Sequence, residues 1–149
     1  MRVIPLLRNF FRHKEKPEIS VENTVVFSTC CVHTDYSCCY CFSLVKNSNG
    51  WLFSFDCGTT QADTRIRRED IPVKTAEVTE ILDTVRRQGL IGRVRYYRKP
   101  KTEFTVTDET IYGTTFRFAD GSQVSAPICA GSDITSIFFR LAGKYGDGE

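Results

Sequence analysis

The amino-acid sequence predicts an α+β fold, in which a single layer of mostly antiparallel sheet has one face covered by two amphipathic helices. Two segments predict hairpins, because apolar residues alternate on both sides of a turn sequence, which is Asn47-Ser48-Asn49-Gly50 in the first and Asp120-Gly121 in the second. Two other segments carry apolar residues at helical spacing. The sequence has neither a regular βαβ alternation nor a glycine-rich phosphate-binding motif, so a nucleotide-binding fold is not expected.

A short N-terminal segment differs in composition from the rest of the 149-residue chain. Over residues 1–20, apolar residues recur at helical spacing among arginines and lysines until Pro17 ends the pattern. We expect this amphipathic basic segment to pack on the domain or to lack fixed structure, with contact to an anionic membrane surface through residues 1–16 as the alternative. Residues 21–149 have the size of one ordinary domain and are expected to form a single α+β domain.

The first hairpin follows a short strand over residues 25–27. The strand over residues 37–45 carries a large apolar side chain at every second position, and the strand after the turn has the same period. Antiparallel pairing through a loop of two or four residues sets these side chains opposite each other, Tyr40, Phe42 and Leu44 against Phe53, Phe55 and Cys57. The hairpin is therefore expected to have one apolar side.

The middle of the chain predicts a loop and then a helix. Residues 58–72 are polar around an isolated Ile66 and favour a loop. The helix has Thr75 as its expected cap and Gly89 as its end, and its apolar positions follow the i, i+3, i+4, i+7 pattern at Val78, Ile81, Leu82 and Val85. A strand is expected over residues 93–99 and a weaker one over residues 103–107.

The last third of the chain predicts the second hairpin and a closing helix. The hairpin carries Tyr112, Thr114, Phe116 and Phe118 on one face, with Val124, Ala126 and Ile128 returning after the turn. The helix is expected to begin near Ser132 or Asp133, and its apolar side chains recur at helical spacing at Ile134, Ile137, Phe138, Leu141 and Tyr145.

Composition excludes several classes of protein. No apolar stretch approaches the roughly 20 residues that a membrane span needs, so a transmembrane role is not expected. A formal net charge of +2 is too small to attract nucleic acid at long range. Arg8 interrupts the apolar N-terminal run, and seven cysteines make an odd number for a disulfide framework. We therefore expect a cytoplasmic protein with reduced thiols.

The cysteines are concentrated near one histidine. Six of the seven, together with His33, lie within residues 30–57. Three cysteines and one histidine are chemically suited to tetrahedral zinc, which suggests the set Cys30, His33, Cys38 and Cys41. Only four residues separate the two halves of this set, and strand alternation would place Cys38 on the face opposite to Cys39 and Cys41.

The ordinary interpretation of the cluster is packing, and it is the one that we favour. Cys38 and Cys57 would then be core residues, Cys39 and Cys41 would line the second face, and His33 would lie in a loop. A zinc site and a thiol redox role are the alternatives. Cysteine or serine hydrolysis has little support, because only two histidines are available, so no catalytic residue is assigned.

A basic stretch follows the predicted first helix. As a strand it would place Arg93, Arg95, Tyr97 and Lys99 on one face, where they could contact phosphate or a partner. A solvated edge strand whose charges prevent aggregation is the interpretation that we prefer. Nucleic acid is accordingly not an expected partner.

The run from Tyr112 to Ser122, which reads Tyr-Gly-Thr-Thr-Phe-Arg-Phe-Ala-Asp-Gly-Ser, lies between the capped helix and the closing helix. In this order of elements, residues 50–145 resemble small uncharacterised bacterial α+β proteins that have no established activity. The resemblance implies a similar fold and transfers no binding or catalytic residue.

These observations favour a small, cytoplasmic, non-enzymatic protein-interaction module. Its contact surface would be the uncovered sheet face, around Cys39, Cys41, Ser43 and Val45, or else the N-terminal segment. No cofactor is expected under this hypothesis. The alternative is a small zinc-binding or thiol-active protein that uses Cys30, Cys31, His33, Cys38, Cys39 and Cys41.

Overall fold

The computed structural model describes residues 19–33, 38–58, 65–99 and 110–146, and the side chain of Cys38 lies outside this described part. A single 3-10 turn, Val21–Asn23, precedes the first strand. The strands are β1 (Thr24–His33), β2 (Cys38–Asn47), β3 (Gly50–Gly58), β4 (Arg65–Val73), β5 (Thr110–Phe118) and β6 (Gln123–Ala126). The helices are α1 (Thr75–Gln88), α2 (Leu90–Arg95) and α3 (Ser132–Gly146).

The strands form one open six-stranded sheet in the order β4-β3-β2-β1-β5-β6. Every neighbouring pair is antiparallel. The predicted α+β fold with an antiparallel sheet is therefore confirmed.

Both predicted hairpins are present, and the first has the expected register. In the first, Asn47 pairs with Gly50 across a two-residue loop, and the apolar positions face each other as Tyr40 with Cys57, Phe42 with Phe55 and Leu44 with Phe53. In the second, Thr114 pairs with Ala126 and Phe116 with Val124. Since directly opposite residues share a face, these pairs define one apolar side of the sheet, called here the core face.

The hydrophobic core joins residues of the core face to residues of the helices. Phe138 of α3 is fully buried, and its ring stacks on that of Phe42 with a centroid separation of 4.9 Å. The ring centroids of Phe27 and Phe53 lie 5.7 and 5.8 Å from that of Phe138. Aromatic contacts of this kind are the centre of the core.

The first helix begins one residue earlier than the sequence predicts. Lys74, not Thr75, is the N-cap, and its backbone N–H donates to the carboxylate of Glu77 at 3.0 Å. This carboxylate satisfies a donor that the helix itself leaves unpaired. The predicted end is confirmed, because Gly89 adopts a left-handed conformation with φ of 61°.

The strand predicted over residues 93–99 is wrong. Residues 90–95 form α2, and Arg93 donates its backbone N–H to the carbonyl of Gly89 at 3.1 Å. The helix buries Leu90 and Val94, which are four residues apart on one side of a single turn. The exposed residues Arg93 and Arg95 flank Val94, so this part of the sequence has the alternation of a polar strand.

The loop predicted over residues 58–72 is also wrong in its second half, where β4 forms the edge of the sheet. A bulge opposite Ser54 separates the pair Phe53 with Ile71 from the pair Phe55 with Arg68. Asp70 lies in this bulge with φ of 57° and donates its backbone N–H to Ser54 Oγ at 3.0 Å. The one extra residue breaks the strand alternation, which is why the pattern did not predict a strand.

Two predicted segments, the N-terminal segment up to residue 18 and the weak strand over residues 103–107, lie outside the described residues. None of the helices in the described ranges has the length and apolar character that crossing a bilayer requires.

Candidate contact face of the sheet

The side of the sheet opposite to the core face carries small polar side chains beside an apolar row of Val26, Val45 and Leu52. Strand register sets the polar side chains in two rows across β1, β2 and β3, since residues directly opposite each other share a face. The two rows are Ser28, Ser43 and Ser54, and Cys30, Cys41 and Asp56. These six residues are called here the serine–cysteine face, and each of them is partly exposed.

The neighbouring strands continue these rows on both sides. On β5, Thr115 is opposite Ser28 and Gly113 is opposite Cys30. A Cβ added at Gly113 would meet no atom of the described residues within 4 Å, so within this part of the chain the surface beside Cys30 is open. On β4, Arg67 is opposite Asp56.

The serine–cysteine face forms the floor of a shallow cavity of about 280 Å³. Serine and cysteine side chains are short, whereas β4 at the edge carries long charged side chains, so the middle of the face lies lower than its margin. The β4 residues that line the cavity are Arg67, Arg68 and Glu69.

Two ion pairs lie around the cavity, while Arg68 donates to the backbone carbonyls of Arg67 and Gly146. Oδ1 of Asp56 accepts hydrogen bonds from Nε and Nη2 of Arg65 at 2.9 and 2.6 Å. Arg67 and Glu69 form a second pair at 2.9 Å, with 70% and 61% of their side chains exposed. Solvent screens a pair so exposed, which makes its partners easy to exchange for other charged groups.

Cys30 and Cys41 lie directly opposite each other on β1 and β2. Hydrogen-bonded and non-hydrogen-bonded pairs alternate along an antiparallel ladder, and the pair Asn47 with Gly50, which closes the two-residue loop, is hydrogen-bonded. Cys41 lies an even number of residues from Asn47 along β2, so the pair of Cys41 with Asp56 is also a hydrogen-bonded pair. The backbone N–H and C=O of Cys41 therefore point towards β3. Cys30 and Cys41 are therefore a non-hydrogen-bonded pair, for which Cα atoms lie about 4.5 Å apart.

The pairing of β5 with β6, at the opposite edge of the sheet, independently shows that Cys30 and Cys41 are a non-hydrogen-bonded pair. Phe118 donates its backbone N–H to the carbonyl of Ser122, so its backbone groups point away from β1. Alternation along β5 then turns the backbone groups of Gly113 towards β1 and pairs them with Cys30. The backbone groups of Cys30 consequently point towards β5 and leave its pair with Cys41 without hydrogen bonds.

The predicted zinc ligands are only partly brought together. Cys30 and Cys41 are neighbours, but His33 is three residues beyond Cys30 and lies on the face opposite to it. Its Nδ1 is 3.0 Å from Oγ1 of Thr110. Cys38 is the first residue of β2, and its side chain is not described. Among the side chains that are described, no three or more potential metal ligands are grouped, and the four-residue set stays a prediction.

The remaining cysteines divide between a bulge and the core face. The pairing of β1 with β2 shifts between Cys31 and Val32, which leaves Cys39 as the extra residue of a bulge. Cys57 is buried, as predicted for a core residue. Cys31 is also buried and lies between Tyr40 and Tyr112, its partners on the two neighbouring strands.

Tyr40 is held as a neutral phenol in these surroundings. Burial raises the pKa of Tyr40, and the thiols of Cys129 and Cys31 raise that pKa further. The thiols of Cys31 and Cys129 therefore belong to a partly buried environment on the core face, separate from the serine–cysteine face.

The predicted basic contact residues do not share a strand face. Arg93 and Arg95 lie on α2, and Tyr97 and Lys99 follow it in irregular structure. Nη2 of Arg93 contacts Oε1 of Gln88 at 3.4 Å, and the guanidinium of Arg95 stacks over the ring of Tyr96 at 5.1 Å. A role for these four residues in binding phosphate or a partner remains a prediction.

Sequence reasoning identified Cys41 and Ser43 on this face but missed Ser28, Ser54 and Asp56. The same alternation rule could have found them, because Ser28 follows the core residue Phe27, while Ser54 and Asp56 flank Phe55. The neighbours of Cys30 could not be found in this way, since they depend on the register of β1 against β2 and β5.

Comparisons of the chain with protein-family models, with curated proteins and with solved structures each found no match. They assign the chain to no family, and they provide no relative from which a function could be transferred.

Proposed function

We propose that this is a cytoplasmic, non-enzymatic protein-interaction module that binds a partner protein through the serine–cysteine face. The observation that carries the proposal is the cavity of about 280 Å³ at the centre of this face. A depression of this size accepts a side chain from a partner and gives the contact a defined position.

The chemistry of the cavity supports a protein partner. Hydroxyl groups of Ser28, Ser43 and Ser54 can both donate and accept hydrogen bonds, so they suit the backbone and polar groups of another chain. The thiols of Cys30 and Cys41 offer a small, soft apolar surface beside them. The exposed pair of Arg67 with Glu69 at the margin can form new ion pairs with a partner.

The surroundings of the ionisable groups favour binding over acid–base catalysis. The carboxylate of Asp56 accepts two hydrogen bonds from Arg65 at one of its oxygens, so that oxygen is already engaged within the protein. His33 lies on the other face and cannot assist a cysteine of the cavity. Cysteine or serine hydrolysis would need a base within hydrogen-bond reach of the nucleophile, and His33 is not within reach of the cysteines of the cavity.

A photocrosslinking experiment tests the proposal. A photoreactive amino acid is placed at Ser43, on the floor of the cavity, and at Thr79, an exposed position of α1 that serves as the matched control. We expect a partner to be captured at position 43 and not at position 79. The captured protein is then purified with the unmodified chain, and hydrogen exchange of the complex is measured.

Protection of β1, β2 and β3 from hydrogen exchange in that complex would support the proposal. Ser43→Arg, which fills the cavity, should abolish binding of the captured protein, whereas Thr79→Arg should not. Equal capture at both positions, or protection confined to the helices, would overturn it.

A second candidate function is that of a small zinc-binding or thiol-active protein. The observation that favours it is the position of Cys30 directly opposite Cys41 in the same cavity. Metal content and thiol chemistry test this candidate separately from protein binding.

A further inference from the structure

We propose that Cys30 and Cys41 are a redox site, which forms a reversible cross-strand disulfide by exchange with small disulfides such as glutathione disulfide. The inference deepens the thiol-active candidate function, and it holds whether or not the serine–cysteine face binds a protein. The structure records both residues as thiols.

The backbone geometry at this position suits a disulfide without rearrangement. Disulfides need Cα atoms that are roughly 4.4–6.8 Å apart. A non-hydrogen-bonded pair places them about 4.5 Å apart and brings the side chains closer than a hydrogen-bonded pair does. The register of β1 against β2 is continuous from Val26 to Cys31, so the pair of Cys30 with Cys41 belongs to the regular part of the ladder and lies one residue before the shift between Cys31 and Val32.

A small disulfide can reach the two thiols through the cavity. Cys30 and Cys41 are partly exposed and line the same cavity, and the missing side chain at Gly113 leaves open surface beside Cys30. Exchange requires that a thiolate reach a disulfide sulfur of the reagent, so an open cavity is a precondition.

The other described cysteines are less suited to form this disulfide. Cys31 and Cys57 are 5% and 4% exposed and lie on the core face, on the other side of the sheet from the cavity. Cys39 is the extra residue of the bulge and has no residue directly opposite it on β1. Cys129 lies beyond β6, in the surroundings of Tyr40. Among the cysteines whose side chains the structure describes, the site is therefore expected to be specific for Cys30 and Cys41.

The reaction proceeds in two exchange steps. The thiolate of one cysteine attacks a sulfur of glutathione disulfide, which breaks that S–S bond, forms a mixed disulfide and releases one glutathione thiolate. The thiolate of the second cysteine attacks the protein sulfur of the mixed disulfide and releases the second glutathione. The protein loses two thiol protons and two electrons, and one glutathione disulfide becomes two glutathione molecules.

The test is a redox titration of the reduced, full-length chain in glutathione buffers, followed by acid quenching, alkylation of the remaining thiols and intact-mass measurement. The fully reduced chain carries seven alkyl groups after this treatment; we expect the oxidised wild-type chain to carry five and one intramolecular disulfide, and to return to seven in excess reduced glutathione. Cys30→Ser and Cys41→Ser should lose this disulfide and instead gain one glutathione as a stable mixed disulfide. Cys39→Ser and Cys57→Ser are the matched controls and should behave as the wild type does.

Peptide mapping of the oxidised wild-type chain keeps the test decisive if a variant does not fold. Chymotrypsin can cleave after Tyr36 and Tyr40, which separates Cys30 from Cys41 in the sequence. Recovery of fragments joined through Cys30 and Cys41 would support the proposal. A disulfide that joins another pair, or uptake of glutathione without an internal disulfide, would overturn it. Neither result bears on the photocrosslinking of position 43, so failure of the disulfide and failure of protein binding are distinguishable.

Discussion

Thr29 on β1 donates its hydroxyl hydrogen to Thr114 on β5, across an Oγ1–Oγ1 distance of 3.1 Å. The direction of this bond follows from the second contact of Thr114, whose Oγ1 lies 2.7 Å from the carbonyl oxygen of Ile128. A carbonyl can only accept, so the single hydroxyl hydrogen of Thr114 is used there and Thr29 must be the donor to Thr114. Both threonines are buried, and the chain of bonds ties β1 and β5 to the segment after β6.

The two threonines should therefore respond unequally to replacement by valine, which has nearly the same shape. Thr114→Val leaves both the Thr29 hydroxyl and the Ile128 carbonyl without this partner, and we expect a loss of about 2–3 kcal/mol in the free energy of unfolding. Thr29→Val removes one bond and leaves the bond to Ile128 in place, for an expected loss of about 1 kcal/mol. Urea denaturation of both variants measures the difference, and equal losses would contradict the assigned bond directions.

Glu77 connects the start of α1 to the end of α3. Its carboxylate accepts hydrogen bonds from Nζ of Lys144 at 2.5 Å, from the hydroxyl of Tyr145 at 2.6 Å and from the backbone N–H of Lys74 at 3.0 Å. Burial alone would raise the pKa of Glu77, but these hydrogen bonds outweigh it and lower the pKa to about 2.

This lowered pKa predicts a specific dependence of stability on pH. Because the pKa of Glu77 is lower in the folded state than its ordinary value of 4.5, the stabilisation is present above about pH 4.5 and is lost as the pH falls towards 2. At pH 7 we expect Glu77→Gln to cost about 1 kcal/mol, since solvent screens the half-exposed Lys144. The difference between wild type and variant should shrink between pH 5 and pH 2.

Glu80→Gln is the matched control for this prediction. Glu80 also joins α1 to α3, through an ion pair with Arg140 at 2.6 Å, but both side chains are about half exposed. An exposed pair of this kind contributes little, so its loss should barely change the melting temperature. A loss in Glu80→Gln as large as that in Glu77→Gln would show that any contact between these helices matters equally.

Two glycines that face open space allow the cost of a left-handed backbone to be measured separately from crowding. Among the described residues, an added Cβ meets nothing within 4 Å at Gly89 or at Gly143, but of these two glycines Gly89 alone has a positive φ, of 61°. Gly89→Ala should destabilise the fold by about 1–2 kcal/mol through backbone strain. Gly143→Ala, within α3, should stabilise it by about 0.5–1 kcal/mol. Thermal unfolding of the two variants gives the comparison, and a loss in both would mean that the helix ends were assigned wrongly.

The sequence predicted the elements in which one local rule acts without interruption. The hairpin of β2 and β3 could be predicted with its pairing, because strict alternation meets a loop of fixed length at Asn47 and Gly50. β4 could not, since the bulge at Asp70 changes the alternation in the middle of the strand. α2 has only two buried apolar positions, Leu90 and Val94, which is too few for a periodic pattern to be recognised.

The candidate site depends on information that a single sequence does not contain. Cys41 could be placed on the second face by alternation, and Ser43 with it. The partner of Cys41 on β1, however, is set by how far β1 is shifted along β2, and a shift of one residue would bring Cys31 opposite it. Tertiary packing of Phe27 and Phe42 in the core selects the observed register, which places Cys30 opposite Cys41.

The same register leads to a prediction about metal. Two thiols from Cys30 and Cys41 are half of a tetrahedral zinc site, and His33 cannot complete it from the other face without unpairing from Thr110. We therefore expect the chain, purified under reducing conditions without chelator, to contain far less than one equivalent of zinc by elemental analysis. Its melting temperature should not change when a chelator is added, because a structural zinc site would contribute directly to folding.

One equivalent of zinc in the purified chain would contradict this prediction, and its loss in single variants would identify the ligands. One equivalent of zinc that is lost in Cys30→Ser, in Cys41→Ser and in His33→Ala would require β1 to rearrange near its end, where the shift in register between Cys31 and Val32 already interrupts its pairing with β2. Zinc that is lost in Cys30→Ser and Cys41→Ser but kept in His33→Ala would mean that other ligands complete the site. Cys57→Ser is the matched control, because Cys57 is buried on the core face and its replacement should not change the zinc content. Only a bulge or break within β1 between Cys30 and His33 could bring His33 to the face that carries Cys30 and Cys41, because alternation along one strand does not depend on its register against the neighbouring strands. The zinc measurement thus tests whether β1 stays regular up to His33.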